Sequence, residues 1–405
     1  MFFINKISKI KINYINIFNL FTVKKFRYQN KVINNLKKFL NINKIILLGR
    51  ARTGIYLLVK HYLKYPSRPG RNVLVTAYTI PDVINLIKKA GGKPLFVDFE
   101  YQSTYFSILD LKDKIKKYNP KIVILTHYHL EEKNIKKILN ICKKKKIIVI
   151  EDKAISYGSI QQKKLSSDGA IFSFSSFKLL NYYYGGALTC KNDRIFKKIQ
   201  SEVNSWKTLS LFQYFRQASL TIIYQVLTYK FIFNYFGFYY LKYKFFLKNK
   251  KSEKFYFSSG KFDKSYFTRP SNGFFNEIFY KIAKAKAIQR HRMKIFLIYY
   301  KYLKKISIPY KITHSQILNG SCFNFLIYHK KSWLIKKKLY DENFDIGTSV
   351  YENLNKLSFY KKKYVKTKNL DNVYENLLFL PTHELVSKKY ASNLAKKIIE
   401  ITKKI

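Results

Sequence analysis

The sequence predicts an α/β protein: a large domain with a mostly parallel sheet flanked by helices, and a smaller C-terminal α/β domain. Two observations support this fold class. Between residues 44 and 208, short apolar runs alternate with lysine-studded helical stretches, a pattern typical of parallel strands joined by helices. The 405 residues also suffice for one large and one smaller domain with a substantial buried core.

Apolar runs bounded by turn residues define the predicted strands. They cover residues 44–48, 73–75, 94–97, 121–126, 147–150 and 170–174. Between them we expect helices at residues 55–63, 82–90 and 131–145. Ligands of such sheets bind beyond the carboxyl ends of the strands. Asp152, Ser173 and Lys178 lie at or just past such ends and are therefore candidate functional residues.

Composition divides the chain into four predicted parts. These are a basic N-terminal segment (1–43), the large domain (44–208), an aromatic-rich insert with a charged linker (209–264), and a long helix with the small domain (265–405). In the first part, Lys6, Lys9 and Lys11 interrupt any apolar core that a signal peptide would need. The scarcity of Arg also argues against a transit peptide, so we expect an ordinary leading helix. Long helices are predicted at 275–304 and 387–404.

Residues 209–247 are rich in aromatic side chains and poor in acidic ones. Arg216, Lys230 and Lys242 break the segment into apolar pieces of about 11 to 13 residues, whereas a membrane-spanning helix needs about 20. The main expectation is a pair of helices that docks on the sheet or on a partner subunit. The alternative is an interfacial helix that makes peripheral contact with a membrane.

The net charge of +55 raises the possibility of a nucleic-acid-binding protein. However, about 68 of the 78 basic residues are Lys and only about 10 are Arg. A surface selected for phosphate and base contacts should use the arginine fork. The composition is also the one that A/T-rich codons would produce. Residues with such codons are abundant (Lys, Asn, Ile, Tyr and Phe), whereas Gly and Pro are scarce. We therefore predict no specific nucleic-acid partner.

Cysteine usage indicates the compartment. Cys142, Cys190 and Cys322 are the only cysteines, and they are far apart and odd in number. They form neither a disulfide framework nor a zinc-ligand spacing. A reducing cytoplasm is therefore the predicted location.

The candidate residues meet the needs of pyridoxal 5'-phosphate (PLP) chemistry. That chemistry requires a lysine amine for a Schiff base and a carboxylate that keeps the pyridine nitrogen protonated. It also requires a helix start, helped by a hydroxyl, to hold the phosphate. Lys178, Asp152 and Ser173 offer the first groups, and Ala51-Arg52 opens a helix directly after a strand. Each residue alone is weak evidence, so the prediction depends on their joint order and spacing.

Several motifs resemble the DegT/DnrJ/EryC1/StrS family of PLP-dependent sugar aminotransferases, which have the aspartate-aminotransferase-like fold type I. The similar stretches are GRARTGIYLL (49–58), VLVTAYTIPDVINLIKKAGGKPLFVDFE (73–100), ILTHYHL (124–130), VIEDKAISYGS (149–159), IFSFSSFKLLNYYYGGAL (171–188) and LLFLPTHELVS (377–387). The resemblance is strong from residue 49 to 199, moderate in the C-terminal domain and absent from 209–247.

The resemblance implies a role for each matched residue. Lys178 would carry PLP as a Schiff base and move the proton during catalysis. Asp152 would bind the pyridinium nitrogen, Ser173 the phosphate, and the backbone amides of Ala51 and Arg52 the phosphate as well. The implied activity moves an amino group, with glutamate as donor, to a nucleotide-linked keto-sugar for polysaccharide or lipopolysaccharide synthesis. The resemblance also implies a homodimer with its active site at the subunit interface.

Four positions depart from the family pattern. Ile155 stands where Gln or His commonly faces the cofactor's phenolic oxygen, Leu130 replaces the Gly of His-x-x-Gly, and Tyr184 precedes Gly185-Gly186. These changes leave a second hypothesis open: a catalytically altered member, either dehydratase-like or a non-catalytic binder of PLP or a sugar nucleotide. At the position of the ring-stacking aromatic residue stands Ile80, for which Tyr78 is a possible substitute.

His127 and His129 are two residues apart and have no evident third metal ligand. A pocket or core histidine is therefore the preferred interpretation over a metal site.

Overall fold

A computed structural model gives the conformation of most of the chain. It describes residues 6–21, 29–128, 130–247, 266–308, 312–349, 351–357 and 367–405. The predicted charged linker at 248–264 and His129 lie outside the described residues.

A seven-stranded sheet forms the centre of the large domain. The strands in the first half of the chain are β1 (Ile46–Leu48), β2 (Asn72–Thr76), β3 (Tyr78–Thr79), β4 (Lys93–Val97), β5 (Ile122–Thr126), β6 (Ile148–Asp152), β7 (Gly169–Ser173) and β8 (Gly186–Cys190). The sheet has the order β1-β8-β7-β6-β5-β2-β4. Only β8 runs antiparallel to its neighbours, whereas the other pairs are parallel. The predicted mostly parallel sheet is confirmed.

Helices cover both faces of this sheet. They are α1 (Gln29–Leu40), α2 (Ala51–Leu63), α3 (Pro81–Lys89), α4 (Ile108–Tyr118), α5 (Ile135–Lys144) and α6 (Asp193–Asn204). Successive side chains of a strand point to opposite faces. Val73 and Val75 of β2 accordingly join the apolar cluster under α2, α3 and α6, and Leu74 joins the cluster under α4 and α5. Burial on both faces explains why these strands are apolar runs without alternation.

Helix α5 begins four residues later than the sequence predicted. The backbone N–H of Glu132 donates to Nδ1 of His127 at 3.1 Å. The Glu132 carboxylate in turn accepts from the backbone N–H of Asn134 at 3.1 Å. These side-chain acceptors offer the backbone an alternative to helical hydrogen bonds, so residues 131–134 remain outside the helix.

The C-terminal part forms a smaller α/β unit. Its elements are α10 (Asn272–Leu303), α11 (His314–Asn319), β9 (Asn324–Tyr328), α12 (Ser332–Asp341), β10 (Glu352–Asn353), α13 (Lys368–Asn376), β11 (Leu377–Pro381) and α14 (Lys388–Lys403). β9 and β11 pair antiparallel, and α10, α12 and α14 bury one shared apolar cluster with them. The long helix and the last helix lie within three residues of their predicted bounds. β10 pairs with β3 of the large domain.

The aromatic-rich insert is helical, as predicted. It contains α7 (Leu211–Leu227), α8 (Lys230–Ile232), a π-helical turn (Phe233–Gly237) and α9 (Phe238–Leu247). Ser210 caps α7 in a reciprocal capping box with Gln213. Helix α9 docks on α12, where the ring of Phe245 stacks on Trp333 with centroids 5.1 Å apart.

The N-terminal segment differs from the expected leading helix. Residues 6–16 are not helical, Ile17–Phe21 form a 3-10 helix, and α1 is the α-helix among the described residues of the segment. Instead, the backbone N–H of Lys9 donates to Oδ2 of Asp345 at 2.8 Å. His383 contacts the carbonyl oxygen of Ser8 through Nε2 at 2.8 Å, and Ile12 and Ile15 are buried. The expectation was wrong for this stretch because its partners lie hundreds of residues away, so contacts within the segment do not decide its conformation.

Candidate active site

Lys178 lies in the loop between β7 and β8, where its backbone N–H closes a turn onto the carbonyl of Ser175 at 2.9 Å. Burial lowers the pKa of its amine from 10.5 to about 8. The charge of Asp152 opposes this shift and that of Arg52 adds to it. Lys178, Asp152 and Arg52 therefore share one electrostatic environment, and at pH 8 about half of the Lys178 amine is neutral.

Asp152 is the last residue of β6 and is buried, with 8% of its surface exposed. Its Oδ1 accepts a hydrogen bond from the backbone N–H of Ala154 at 3.0 Å. Burial raises the pKa of this carboxyl, against the opposing effects of Ala154, Lys178 and His127. In the parallel register Asp152 faces Ile171, two residues before Ser173. The strand ends thus bring the predicted carboxylate, hydroxyl and lysine to the same edge of the sheet.

His127 lies at the adjoining end of β5 and is buried. Its Nε2 is 2.8 Å from Oε2 of Glu151. Burial disfavours the charged form of Glu151, but Lys153, His127 and Ser167 together lower its pKa to about 2. Within the described residues, no group of three or more His, Cys, Asp or Glu side chains is placed to hold a metal ion. The backbone N–H of His127 donates to the carbonyl oxygen of Asp152 at 3.0 Å, so His127 supports the strand end that carries Asp152.

The start of α2 forms another side of the site. Its N-cap residue, Arg50, has extended backbone geometry and makes no side-chain capping bond. The first N–H groups of a helix lack partners within the helix and favour an anion. Gly186 lies directly beside Ala51, since a Cβ atom on Gly186 would be 2.3 Å from both N and Cα of Ala51. Glycine is therefore required for this close approach of β8 to the helix start.

Two arginines flank the same helix start. Arg52 forms an ion pair with Asp82, which also accepts a hydrogen bond from the Tyr266 hydroxyl at 3.0 Å. The Arg50 guanidinium lies 4.0 Å from the ring centroid of Tyr184 and 5.1 Å from that of Tyr266. Cations at a helix N-terminus oppose the helix dipole, so this arrangement favours a nearby anion. Sequence reasoning did not assign Arg50, although the Arg-x-Arg spacing at a helix start was a usable signal.

Ser173, the last residue of β7, is also buried. Its Oγ lies 3.3 Å from Oγ of Ser175, and its carbonyl oxygen accepts a hydrogen bond from the Tyr157 hydroxyl at 2.7 Å. The strand end therefore offers a pair of hydroxyls where one was predicted. Ser175 was missed because nothing in its sequence context distinguishes it.

The departures from the family pattern are accommodated by packing. Ile155 is buried, with 4% of its surface exposed, and belongs to the apolar cluster beneath α2 and α3. Leu130 is buried in the cluster of the C-terminal unit. Tyr78 is buried too, with its ring 5.2 Å from that of Tyr128 and its hydroxyl 3.0 Å from Ser349 Oγ. Because its side chain is aliphatic, Ile155 offers no hydrogen-bond donor at its position.

The donor set fits PLP. A low-pKa amine suits the aldehyde, a buried carboxylate suits the ring nitrogen, and paired hydroxyls beside a helix start suit the phosphate. The tight contact between Gly186 and Ala51 would lie at the phosphate end of the bound cofactor.

A comparison with known families agrees with this residue set. Residues 23–215, slightly less than half of the chain, match the DegT/DnrJ/EryC1/StrS aminotransferase family. Aminotransferases are in general PLP-dependent.

Individual relatives also match part of the chain. The chain is 30% identical over 175 residues to GDP-perosamine synthase of Vibrio cholerae, which is 42% of this chain and 47% of that protein. It is 27% identical over 159 residues to GDP-perosamine synthase of Escherichia coli O157:H7, which is 39% of this chain and 43% of that protein. The alignments thus span less than half the length of these curated relatives.

Structural likeness extends much further along the chain. Helicobacter pylori PseC, an aminotransferase involved in the biosynthesis of pseudoaminic acid, matches with a TM-score of 0.72 and 14% identity. That match covers 99% of this chain and 100% of PseC. AtS13 from Actinomadura melliaura matches with a TM-score of 0.73 and 14% identity over 98% of this chain and 100% of that protein. The predicted fold type I is confirmed.

Proposed function

We propose that this protein is a PLP-dependent aminotransferase that moves an amino group from an amino acid, with glutamate as donor, to a nucleotide-linked keto-sugar. One observation carries the proposal: the Lys178 amine and the Asp152 carboxylate interact at the carboxyl edge of the sheet, where Ser173 ends the neighbouring strand. The names of the perosamine synthases and the family description support a sugar aminotransferase.

The residues would divide the work according to their chemistry. Bound PLP would supply an electron sink for the substrate's α-carbon electrons. Asp152 would hold a proton on the ring nitrogen, since its buried carboxylate needs a cationic partner. The neutral fraction of Lys178 would attach the cofactor and, once released, take and return the substrate proton at Nζ. Ser173, the α2 amides of Ala51 and Arg52, and the nearby charge of Arg50 would hold the phosphate.

The wider proposal follows from the resemblance and the family. A homodimer would complete the site at the subunit interface. The amino-sugar product would serve polysaccharide or lipopolysaccharide synthesis in the cytoplasm.

Cofactor attachment is the first test. Purified full-length protein is mixed with PLP, its visible absorbance is recorded, and the adduct is reduced with borohydride and located by peptide mass spectrometry. The adduct is expected on Lys178. Lys281 is an internal control, because burial also lowers its pKa to about 8 but its amine lies 2.8 Å from Glu277 Oε1, outside the site. Absence of the band, or labelling of Lys281 in preference to Lys178, would contradict the proposal.

Reaction with glutamate is the second test. It should remove the visible band of the wild type, and Asp152→Asn should slow this half-reaction about 100-fold or more. Asp168→Asn is the matched control. Its carboxylate also has a pKa raised by burial, but it accepts from the Val149 N–H at the far end of β6.

A band that forms on Lys178 but never responds to an amino donor would support the second hypothesis. The chain would then be a catalytically altered member, as the buried Ile155 favours.

A further inference from the structure

Helices α7 to α9 present an outward-facing apolar surface, which we call the insert surface (residues 211–247). Of the 21 large apolar side chains that are exposed among the described residues, 14 lie in this segment. The most exposed are Phe212 (79%), Phe236 (68%), Tyr229 (65%), Tyr243 (65%), Phe231 (62%) and Tyr235 (62%). Contiguous exposed apolar residues mark interaction sites far more often than single ones do.

Helix α7 is apolar on the side that faces away from the protein. Tyr214, Ala218 and Thr221 are buried against the large domain, and their spacing of four and three residues places them on one helix face. Phe212 and Ile223 are exposed at 79% and 53%. A helix whose outer side faces only water carries polar residues there, so α7 requires a second covering partner.

Helix α9 repeats this arrangement on the C-terminal unit. The rings of Phe238 and Phe245 lie 5.7 Å and 5.0 Å from the ring of Tyr340. Tyr239 and Tyr240 are exposed at 53% and 59%. Both ends of the insert are therefore anchored on the protein while their aromatic residues remain outside.

Charge on the insert surface has only one sign. Residues 209–247 contain no Asp or Glu. Arg216 and Lys230 are exposed, and neither has a carboxylate partner in the described part of the chain, whereas Lys242 pairs with Asp341 at 3.0 Å. The covering partner must therefore be both apolar and anionic.

We propose that the insert surface binds the headgroup layer of a membrane that contains anionic lipids. Tyrosine and phenylalanine suit the boundary between headgroups and acyl chains, and anionic headgroups complement Arg216 and Lys230. A second copy docked on this face by twofold symmetry is a poorer partner, because it would bring the same surface, which contains no Asp or Glu, against the same cations. No helix in the described part is long and apolar enough to cross a membrane, so the contact is interfacial.

Vesicle flotation of the full-length protein tests the apolar contribution. Vesicles of phosphatidylcholine alone are compared with vesicles that also contain about one third phosphatidylserine, and the wild type should bind the anionic vesicles at least about tenfold more strongly. The triple variant Phe212→Ser/Phe231→Ser/Phe236→Ser should lose most of this binding. The matched control Tyr101→Ser/Leu109→Ser/Tyr280→Ser changes side chains exposed at 67%, 76% and 63% elsewhere and should retain it.

The charge contribution is tested separately. Arg216→Gln and Lys230→Gln should each lower the partition coefficient for anionic vesicles by about fivefold. Lys112→Gln and Lys116→Gln, which alter exposed lysines of α4, should change it by less than about twofold. Equal binding to neutral and anionic vesicles would overturn the proposal, as would triple-variant binding equal to that of the wild type.

A substitution that keeps an aromatic side chain on the insert surface tests membrane contact even if the serine variants misfold. In Phe231→Trp the indole should be quenched by brominated lipids, whereas in Leu109→Trp it should not. Sedimentation of the same proteins tests a second copy as the partner. A dimer that dissociates in the triple variant, without vesicle binding by the wild type, would assign the surface to self-association and refute the membrane contact.

Discussion

The hydroxyl oxygens of Ser176 and Thr221 lie 2.9 Å apart and join helix α7 to the loop that carries Lys178. Both residues are buried. The neighbouring Phe177 adds a second contact, with its ring edge-on to that of Tyr224 and the centroids 5.9 Å apart. The aromatic-rich insert thus supports the candidate active site directly.

Thr221→Val keeps the shape of the side chain but removes this hydrogen bond and leaves the Ser176 hydroxyl buried. We expect a loss of about 1 kcal/mol in the free energy of unfolding and weaker PLP binding, because the Lys178 loop loses its support. Urea denaturation and a PLP titration measure the two effects. Thr228→Val is the control, since the Thr228 hydroxyl bonds to carbonyls within α7, including that of Tyr224 at 2.7 Å. Equal PLP affinity in all three proteins would show that the Ser176–Thr221 contact does not position the loop.

Lys178 should make the stability of the cofactor-free protein depend on pH. Its pKa is about 8 in the folded state, against 10.5 for an ordinary lysine. Between these values the unfolded chain binds more protons, so the contribution of Lys178 to the free energy of unfolding rises with pH. Below pH 8 the buried Lys178 amine is protonated in the folded protein, and its destabilising effect on the folded state is complete. Lys178→Met should therefore be more stable than the wild type at pH 7, by about 3 kcal/mol, and this advantage should shrink as the pH approaches 10.5.

Denaturant titrations of both proteins across this range measure the difference. Lys112→Met, at an exposed position on α4, should show no such trend. A pH-independent difference between wild type and Lys178→Met would refute the lowered pKa.

Gly186→Ala tests the contact between β8 and the start of α2. Its Cβ atom would be 2.3 Å from N and Cα of Ala51, so the helix start must shift. We expect PLP affinity to fall at least about tenfold, since in the proposed function this backbone would hold the phosphate. Gly91→Ala is the control: nothing lies within 4 Å of its Cβ position, but its φ of +88° strains any other residue. That variant should lose about 1 kcal/mol of stability and keep its PLP affinity.

Glu132 should make the free energy of unfolding fall as the pH rises, which is opposite to the effect of Lys178. Burial raises its pKa from 4.5 to about 8, although the backbone N–H groups of Asn134 and Phe106 oppose the shift. The folded state therefore binds more protons than the unfolded state between these values, and the contribution of Glu132 to stability falls as the pH rises from 4.5 to 8. Relative to Glu132→Gln, the wild type should lose about 3 kcal/mol between pH 5 and pH 8. Glu131→Gln, which changes a carboxylate paired with Lys163 at 2.7 Å, serves as the control in the same urea titrations.

The sheet was predictable because its strands are buried on both faces. Such strands are continuous apolar runs, and the polar residue that ends a run marks its carboxyl end, as Asp152 does for β6. The proximity of Asp152 and Lys178 then follows from parallel pairing. β8 was missed because its sequence, GALTC, offers few apolar residues, and its place between β1 and β7 depends on tertiary contacts.

Pairwise side-chain geometry was harder to predict. The structure pairs the guanidinium of Arg52 with Asp82, thirty residues later, and no sequence pattern indicated this contact. The side-chain acceptors of His127 and Glu132 likewise displaced the start of α5. Local periodicity contains no information about such contacts, because each depends on how separate elements meet in space.

The path of the N-terminal segment has a consequence for folding during synthesis. The hydrogen-bond partner of the Lys9 backbone N–H is Asp345, which is synthesised 336 residues later. The partner of the Ser8 carbonyl is His383, which is synthesised 375 residues later. A ribosome adds residues at about 5–20 per second, so roughly 20 seconds or more pass before these partners emerge. During that interval the large domain can form its sheet before Asp345 and His383 are available to Lys9 and Ser8. Docking of the N-terminal residues is therefore expected among the last steps of folding, and long-range closure of this kind is intrinsically slow.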